Sequence, residues 1–574
     1  MRASTQVVGQ PVGGEGTGRS ERYKWVVLAN TTFGVVMATI DSSIMLIALP
    51  DIFQGVRLDP LTPANSFYLL WMILSFLVVS SVLVVSLGRL GDMYGRVKMY
   101  NLGFAVYTLS SLVLTVDWMQ GQAGAMYLVI GRIFQGVGAA FLVANSSAIL
   151  TDAFPEHQRG LALGINNVAG ISGSFLGLVL GGVLGPIDWR LVFLVSVPFG
   201  LAGTLWAYFK LQETASRRPA AVDWPGNLTF AAGLVALMVG ITYGIQPYGG
   251  HSMGWTNPTV LGELAVGLVL VVGFVAWERR SAEPMFRLRL FRIRAFTAGV
   301  LSSFLAAVAR GGLMFMMIIW LQGIWLPEHG YSFTSTPLWA GIYMLPLTAG
   351  FLLAGPVSGI LSDRFGARPF ATGGMFGATA SFVLLEALPI DFPYWAFALL
   401  ILLNGLAMGA FASPNRAGIM NSLPPEHRGA GSGMNATFQN SAQVLSIGVF
   451  FTLVIIGLSS ALPASMAHGL LSEGVGAREA SRVAHLPPVS TLFAAFLGYN
   501  PMAHLLPAHV LHHLSQRQVA VLLGRSFFPR LIARPFGLGL RTAFDFAAAG
   551  CLVAAVASWA RGGRPALAGS APGR

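Results

Sequence analysis

The chain contains fourteen apolar stretches that are each long enough to cross a lipid bilayer as a helix. A bilayer core of about 30 Å requires roughly 20 apolar residues at about 1.5 Å each. Because every backbone polar group in lipid must be hydrogen-bonded within the chain, helices satisfy this condition and irregular segments do not. The pattern predicts an all-α integral membrane protein with spans near residues 25–49, 68–87, 100–117, 125–150, 161–185, 191–209, 227–247, 258–277, 295–321, 338–361, 370–388, 394–415, 430–457 and 541–560.

The composition excludes a soluble protein. Of 574 residues, 54% are hydrophobic and only 10% are charged, and the mean hydropathy is +0.66. Such a chain has too little polar surface to cover a globule of this size. The single cysteine, Cys551, excludes an internal disulfide, and its apolar surroundings indicate a packing residue.

The net charge of +12 is explained by topology. If the N-terminus is cytoplasmic, 24 of the 35 Lys and Arg residues lie on that side, six of them in the loop 279–294. The six short loops on the other side carry only Arg57 and Arg190. This asymmetry predicts two cytoplasmic termini and contact with anionic membrane lipids, and it gives no reason to expect a nucleic-acid partner.

The spans and the segments between them predict seven regions. Residues 1–24 form a disordered cytoplasmic tail without a cleavable signal, and residues 562–574 form a second cytoplasmic tail. The region 458–540 is amphipathic and contains the run Thr491–Pro501, which is too short to span, so an interfacial or re-entrant hairpin on the extracytoplasmic side is expected. The other four regions are a first six-helix bundle at 25–212, two inserted helices and a basic loop at 213–294, five helices of a second bundle at 295–457, and the last helix at 541–561.

Two charged turns indicate that the chain is a duplication. The segment 88–98 recurs at 359–368, 271 positions later, and 154–160 recurs at 423–429, with the glutamates 270 positions apart. The first turn carries Gly88, Asp92, Gly95 and Arg96. We expect Asp92 to lie at a helix N-terminus or to meet an arginine of the other half, as a latch that one conformation makes and another breaks.

The partners of the latch differ between the two halves. Asp152 is a candidate partner for Arg96 on the cytoplasmic face. The second copy keeps Asp363 but has Ala367 where Arg96 stands in the first. We therefore assign the stronger latch to the first copy.

Two ionisable residues lie within predicted spans of the first half. Asp41 and Arg132 each cost several kcal/mol in a bilayer unless they face a partner or a cavity. A permanently charged arginine changes the protonation of a nearby carboxylate as helices move, so the two form a candidate proton-coupling pair. A static charge pair that only orders the helices is the alternative.

The fifth span carries a glycine face, and the second half carries scattered polar residues. Glycines spaced four apart let another helix approach at backbone distance, which is also the purely structural interpretation; they are Gly173, Gly177 and Gly181, with Gly182 beside them. In the second half, Arg310, Asn404, Asn435, Gln439 and Gln443 are candidates to line a substrate cavity, and for Arg310 this cavity would favour anionic or neutral compounds. Snorkelling of Arg310 and interhelical hydrogen bonding by the amides are the alternatives.

Four of these stretches resemble, in this order, the signature motifs of the major facilitator superfamily in its fourteen-helix drug:proton antiporter family of bacterial multidrug exporters. They are Asp41–Ile52, Gly88–Lys98, Arg132–Ala140 and Gly173–Gly182. The resemblance implies two pseudo-symmetric six-helix bundles, two inserted helices, and alternating access driven by inward proton flow. It gives the latch role to Gly88, Asp92, Gly95 and Arg96, proton coupling to Asp41 and Arg132, and the antiporter motif to the glycine face. Leu178 stands where the family usually has proline.

The resulting hypothesis is a proton-coupled exporter of small amphipathic or hydrophobic compounds, antibiotics among them, in a bacterial cell membrane. It would not be an enzyme, and it would use the proton gradient and no cofactor; no phosphate-binding G-x-x-x-x-G-K-[ST] motif is present. Its partners would be the small-molecule substrate, protons and lipids, with a periplasmic adaptor as a further candidate in a host with two membranes. The alternatives are an importer or facilitator of the same fold, and a membrane sensor or metal-dependent enzyme using His509 and His513, for which no third ligand is evident.

Overall fold

The computed structural model describes residues 17–213, 222–424 and 427–561, and the regular structure in these ranges is helical. Thirteen helices there are long and apolar enough to cross a membrane. A further helix, Ala367–Glu386, is outside these thirteen but has the same length as Arg96–Thr115, 20 residues, and it lies where the eleventh span was predicted. The expected all-α membrane fold is confirmed.

The first six long helices form one bundle and the last six form another. The first bundle comprises α1 (Thr17–Gly55), α2 (Ser66–Tyr94), α3 (Arg96–Thr115), α4 (Gly121–Ala153), α5 (Glu156–Leu184) and α6 (Ser196–Lys210). Two helices, α7 (Trp224–Gly244) and α8 (Pro258–Glu278), follow. The second bundle comprises α9 (Arg294–Trp320), α10 (Thr336–Tyr343 and Leu345–Phe365), α11 (Ala367–Glu386), α12 (Tyr394–Asn421), α13 (Arg428–Ser472) and α14 (Phe527–Trp559).

The two bundles repeat the same helix packing. In the first, α1 packs on α5, α2 on α4, and α3 on both α4 and α6; in the second, α9 packs on α13, α10 on α12, and α11 on both α12 and α14. The contacts between the bundles repeat as well, because α2 packs on α13 and α5 packs on α10. Both charged turns are made by a glycine in the left-handed region, Gly95 (φ 114°) and Gly366 (φ 89°). The duplication in the sequence therefore corresponds to a pseudo-symmetric pair of bundles.

The fourteen long helices run alternately in opposite directions. Because their number is even, the start of α1 and the end of α14 lie at the same face of the molecule. We call this the terminal face and the opposite one the distal face. The inserted helices lie outside the bundles: α7 packs on α2 and α13, and α8 packs on α7. Asn227 of α7 donates to the Val82 carbonyl (3.0 Å) and to Ser86 (2.9 Å), which fixes the inserted pair to the first bundle.

The region 458–540 differs from its prediction. Helix α13 continues to Ser472, and α14 already begins at Phe527. The predicted spans were shorter because Ser459, Pro463 and Arg530 interrupt the apolar pattern, but these residues do not end the helices. The remaining 473–526, which we call the distal cap, contains five short helices: Ala477–Ala484, Pro488–Phe496, Met502–Leu505, Ala508–His513 and Gln516–Leu522. All nine residues of Pro488–Phe496 are buried, so this helix lies inside the protein and not at a membrane surface.

Candidate functional site

A buried ion pair joins α1 to α4 in the first bundle. Arg132 Nη1 pairs with Asp41 Oδ2, and the two residues are 1% and 0% exposed. Gln135 closes the pair: its amide oxygen accepts from Arg132 Nη1 at 2.6 Å, and its amide nitrogen donates to Asp41 Oδ1 at 2.9 Å. Because each charge has a partner and hydrogen bonds, the pair is stable in a place where either charge alone would be costly.

Two further helices complete the surroundings of this pair. Gln135 also donates to Ser111 of α3 at 2.9 Å, and Arg132 Nε donates to the Met72 carbonyl of α2 at 3.3 Å. The guanidinium lies over the Phe76 ring, 4.3 Å from its centroid. A change in the charge of Asp41 would therefore act on four helices of the first bundle at once.

Gln135 could have been found from its i+3 spacing to Arg132, whereas nothing in the sequence indicates Ser111.

The second group of predicted residues meets at the terminal face. Arg96 donates from Nε to Asp92 Oδ1 at 2.8 Å and from Nη1 to both carboxylate oxygens of Asp152 at 2.6 Å. Asp92 lies at the end of α2, Arg96 at the start of α3 and Asp152 at the end of α4. This arrangement locks three helices of the first bundle together.

In this structure Asp92 has a different partner from the two that the sequence suggested. Among the described residues its ion pair is with Arg96, four residues later, and not with a helix N-terminus or an arginine of the other half. Glu213 takes the helix N-terminus instead, accepting from the backbone amides of Arg96 (2.8 Å) and Val97 (3.1 Å). Glu213 is well placed because its carboxylate satisfies free amides at the positive end of the α3 dipole. It was missed because it lies 117 positions away in the sequence.

The glycines of this turn allow close approach. A Cβ on Gly95 would lie 2.6 Å from Glu213 Oε2, and a Cβ on Gly91 would collide with Asn145. Gly88 has more room, 3.6 Å from the Ala144 Cβ. The equivalent carboxylate in the second bundle, Asp363, has its side chain outside the described residues.

The turn is also tied to the inserted region. Arg89 donates to the carbonyl oxygens of Glu283 (2.9 Å) and Pro284 in the loop after α8. The same loop reaches the second bundle, where Arg287 Nη1 lies 2.9 Å from His427 Nδ1. The basic loop therefore connects the two bundles across the terminal face.

The glycine face of α5 packs directly on the backbone of α1. Cβ atoms on Gly173 and Gly181 would lie 2.9 and 2.8 Å from the carbonyl oxygens of Val36 and Ile44, and Gly177 faces Ile40 in the same way. A stripe spaced by four on α5 thus meets a stripe spaced by four on α1.

Gly182 belongs to a different contact. A Cβ there would collide with Leu338 of α10, while one on Gly341 of α10 would lie 3.0 Å from the Leu178 carbonyl oxygen. These reciprocal contacts join the two bundles near the distal face. Leu178, where the related motif usually has proline, is itself 1% exposed at this crossing.

The polar residues of the second bundle divide into two groups. Asn404 is fully buried and donates to Ser381 of α11 at 2.8 Å, so its hydrogen bond joins two helices of the same bundle. Asn435 is 5% exposed, and its side-chain oxygen has no hydrogen-bond partner among the residues that the structure describes. Gln439 and Gln443 are half-buried, and Arg310 is exposed although it lies in the middle of α9. Because Arg310 is far from both faces, snorkelling does not account for it.

Two arginines at the terminal face of the second bundle were missed. The predicted span ended at residue 415, but α12 continues to Asn421 and includes the exposed Arg416. Arg561, just after α14, donates to Asn415 Oδ1, and burial lowers its pKa to about 10. Asn415 in turn donates to Ser303 of α9 at 2.7 Å, so this network holds three helices of the second bundle.

The histidines of the distal cap do not gather ligands. His513 Nδ1 lies 2.6 Å from the His509 carbonyl oxygen of its own helix. Among the residues that the structure describes, no three His, Cys, Asp or Glu side chains come together as a metal site.

Comparison with known proteins identifies a family model and several relatives. The model described as the Major Facilitator Superfamily matches residues 31–446 and 299–562. The tetracenomycin C resistance and export protein of Streptomyces glaucescens is 28% identical over 545 residues, covering 94% of this chain and 92% of that protein. The riboflavin transporter RibZ of Clostridioides difficile is 27% identical over 434 residues (75% and 88%), and multidrug resistance protein 3 of Bacillus subtilis is 25% identical over 440 residues (76% and 80%).

Solved structures share the fold. A bacterial homologue of the human lysosomal transporter Spinster, in an inward-facing and unoccupied conformation, superposes with a TM-score of 0.58 at 15% identity and covers 96% of this chain and 100% of its own. A D-xylose-proton symporter superposes with a TM-score of 0.51 at 17% identity, covering 75% and 90%. At these identities the likeness concerns the fold alone.

Proposed function

The chain belongs to the Major Facilitator Superfamily, as a secondary transporter and not an enzyme, and from this premise we propose that it exports small amphipathic compounds in exchange for protons. In this proposal the terminal face is cytoplasmic, the protein lies in the bacterial cell membrane, and the proton gradient is the energy source. Membership of the family excludes the metal-dependent enzyme considered from the sequence.

The observation that carries this proposal is the Asp41–Arg132–Gln135 group. While Asp41 is ionised, its charge is matched by Arg132 inside the first bundle. A proton on Asp41 cancels one charge and leaves Arg132 buried without an opposite charge, which costs several kcal/mol. The protonated protein therefore favours a different helix arrangement, and proton binding becomes coupled to the conformation of the bundle.

The contacts between the bundles indicate how such a change reaches the transport path. Helix α1, which carries Asp41, packs against the glycine face of α5, and α5 meets α10 of the second bundle at Gly182 and Leu178. A shift of α1 is thus transmitted to the crossing at the distal face through tightly packed backbones. Alternating access by rigid movement of one bundle against the other is the motion that this packing supports.

The direction of transport is proposed from the relatives. Two of them carry names of export or drug resistance, the tetracenomycin C protein and multidrug resistance protein 3. The riboflavin transporter RibZ is a relative whose name gives no direction, and it keeps an importer as the second candidate.

Accumulation of a fluorescent amphipathic dye in cells tests the proposal. Cells that lack their own exporters and express the protein should accumulate less dye than cells with the Asp41→Asn variant, and a protonophore should remove the difference. Equal membrane levels of the two proteins, measured by immunoblot, are the control. Higher dye accumulation with the wild-type protein would instead support import, and efflux by Asp41→Asn at the wild-type rate would support a facilitator.

A further inference from the structure

We propose that the transported compounds are anionic and that Arg310 supplies the positive charge that binds them. This inference rests on the proposed transport function and specifies its substrate class. Its first support is the position of Arg310 on α9. A helix face turned toward lipid exposes residues three and four positions apart. At these positions around the exposed Arg310, only Met314 is half-buried, whereas Ala306, Ala307 and Leu313 are 6%, 9% and 0% exposed. The side chain therefore opens into a space inside the protein.

The surroundings of Arg310 suit an aromatic anion. The guanidinium carbon lies 5.9 Å from the centre of the Phe351 ring on α10. The next residue, Gly311, faces α13, where a Cβ would lie 3.3 Å from Gln443. A guanidinium that donates to a carboxylate, a ring for an apolar skeleton and an amide for further polar groups are the elements of a small-molecule site.

No negative charge in the described chain cancels Arg310. It forms no ion pair with any carboxylate of the described residues. The buried carboxylate of the first bundle, Asp41, is occupied by Arg132 and Gln135. A cavity with one unmatched positive charge attracts anions and repels cations, and the low dielectric of the interior strengthens both effects.

Equilibrium binding of two dyes with the same xanthene skeleton tests this inference. The purified protein in detergent is titrated with anionic fluorescein and with a cationic rhodamine, and binding is followed by fluorescence anisotropy. We expect fluorescein to bind more tightly, Arg310→Gln to weaken it by about tenfold or more, as loss of a charged hydrogen-bonding partner does, and Arg310→Lys to retain most of the affinity. Arg541→Gln, on the exposed side of α14, is the matched control and should change neither dye.

The outcomes separate this inference from the proposed function, because binding requires no proton gradient. Tighter binding of rhodamine, or unchanged fluorescein binding in a folded Arg310→Gln protein, overturns the anionic substrate class and leaves proton-driven export standing. Selective fluorescein binding by a protein that shows no proton-dependent transport supports the anionic substrate class and overturns proton-driven export. Size-exclusion profiles show whether each variant is folded.

A separate observation, the buried helix of the distal cap, carries a second proposal. We infer that the distal cap closes the distal mouth between the bundles and must withdraw from the first bundle in each transport cycle. The helix Pro488–Phe496 packs on α2 of the first bundle and on α13 and α14 of the second. It is fixed most firmly to the second bundle, where Phe493 stacks on Phe451 (5.0 Å) and a Cβ on Gly323 would lie 3.0 Å from the Phe496 Cα.

The contact with the first bundle is less closely packed and encloses a cavity. Gln54 of α1 donates to the Leu497 carbonyl at 3.1 Å. A cavity of about 570 Å³ lies along this seam, lined among others by Arg57, Asp59 and Tyr499. Arg57 is the one non-glycine residue with positive φ (57°) in the described chain. Helix Pro488–Phe496 packs less closely on α2 than on α13 and α14. A contact that buries less surface separates at lower cost, so the cap moves with the second bundle.

Reversible cross-linking tests this movement. In a Cys551→Ser background, Gln54→Cys with Leu497→Cys joins the cap to the first bundle through a short thiol-reactive cross-linker that is cleaved by reduction. We expect the linked protein to lose transport and to recover it on reduction. Arg482→Cys with Leu505→Cys is the matched control, because this pair makes the same kind of side-chain-to-carbonyl contact (2.9 Å) inside the cap, and its cross-link should leave transport intact.

The double-cysteine protein must transport before it is linked, which separates failure of this inference from failure of the proposed function. Full transport by a protein that mass spectrometry shows to be almost completely linked between residues 54 and 497 would overturn the moving cap. Loss of transport in the control pair as well would do the same, since it would show that any cross-link in the cap is harmful.

Discussion

At the scale of single residues, the sequence predicted which charges meet more reliably than which polar groups support them. Asp41 with Arg132 and Arg96 with Asp152 are ion pairs of residues with strong individual signals, an intramembrane charge or a motif position. Gln135, Ser111 and Glu213 were missed because an amide, a hydroxyl or a loop carboxylate is ordinary until the fold places it beside a charge.

Replacing Gln135 with leucine tests the buried group. The change leaves Asp41 Oδ1 without its donor and Arg132 Nη1 without the acceptor that Gln135 supplies, and an unsatisfied buried polar group costs about 1–3 kcal/mol. We expect a lower thermal unfolding temperature in detergent and slower dye efflux. Ile133→Leu, at an exposed position of the same helix, should change neither. A Gln135→Leu protein with wild-type stability and transport would contradict the role given to this amide.

The two latches make a second prediction at this scale. Asp92→Asn and Asp152→Asn each take one carboxylate from Arg96, so both should slow transport. Their side chains are partly exposed, 40% and 25%, so the effect on stability should stay within about 1 kcal/mol. We expect Asp363→Asn to be milder than Asp92→Asn at equal expression, since Ala367 replaces the arginine there. Equal losses in the initial rate of efflux would refute the ranking.

At the scale of helices, the apolar pattern located the spans well and their ends poorly. Helices α12, α13 and α14 run beyond the predicted boundaries because a serine, proline or arginine near a helix end is compatible with a helix that packs on protein. The same error hid Arg416, which was assigned to a loop. Hydropathy measures the transfer of residues into lipid, so it does not predict helical turns that are packed against other parts of the protein.

The packing of α5 on α1 gives the prediction that belongs to this scale. Gly177→Ala would place a methyl group against the Ile40 backbone, and neither helix backbone can yield without moving the other. We expect a loss of about 1–3 kcal/mol in stability and a strong loss of transport, measured by thermal unfolding and dye efflux. Gly164→Ala, on the same helix but with open space around it, is the control and should be neutral. Equal effects of the two substitutions would show that the loss of stability and transport comes from helix propensity and not from the contact with α1.

At the scale of the whole molecule, the repeated turns predicted two related halves, and the matched packing of α2 on α13 and α5 on α10 agrees with them. The distal cap was beyond prediction, because its short helices have no length signal and no counterpart in the first half. Its burial depends on the space between the two bundles, which exists only once both have formed.

Proton movement in liposomes tests the central claim, that Asp41 couples substrate export to inward proton flow. The purified protein is reconstituted into liposomes that enclose a pH-sensitive dye. A transported substrate is then added on the side of the membrane from which the protein binds it. The account predicts a substrate-dependent proton flux opposite to the substrate, present in the wild type and absent in Asp41→Asn, with ligand binding retained by the variant. Substrate transport without any proton flux, or the same flux in Asp41→Asn, would contradict it.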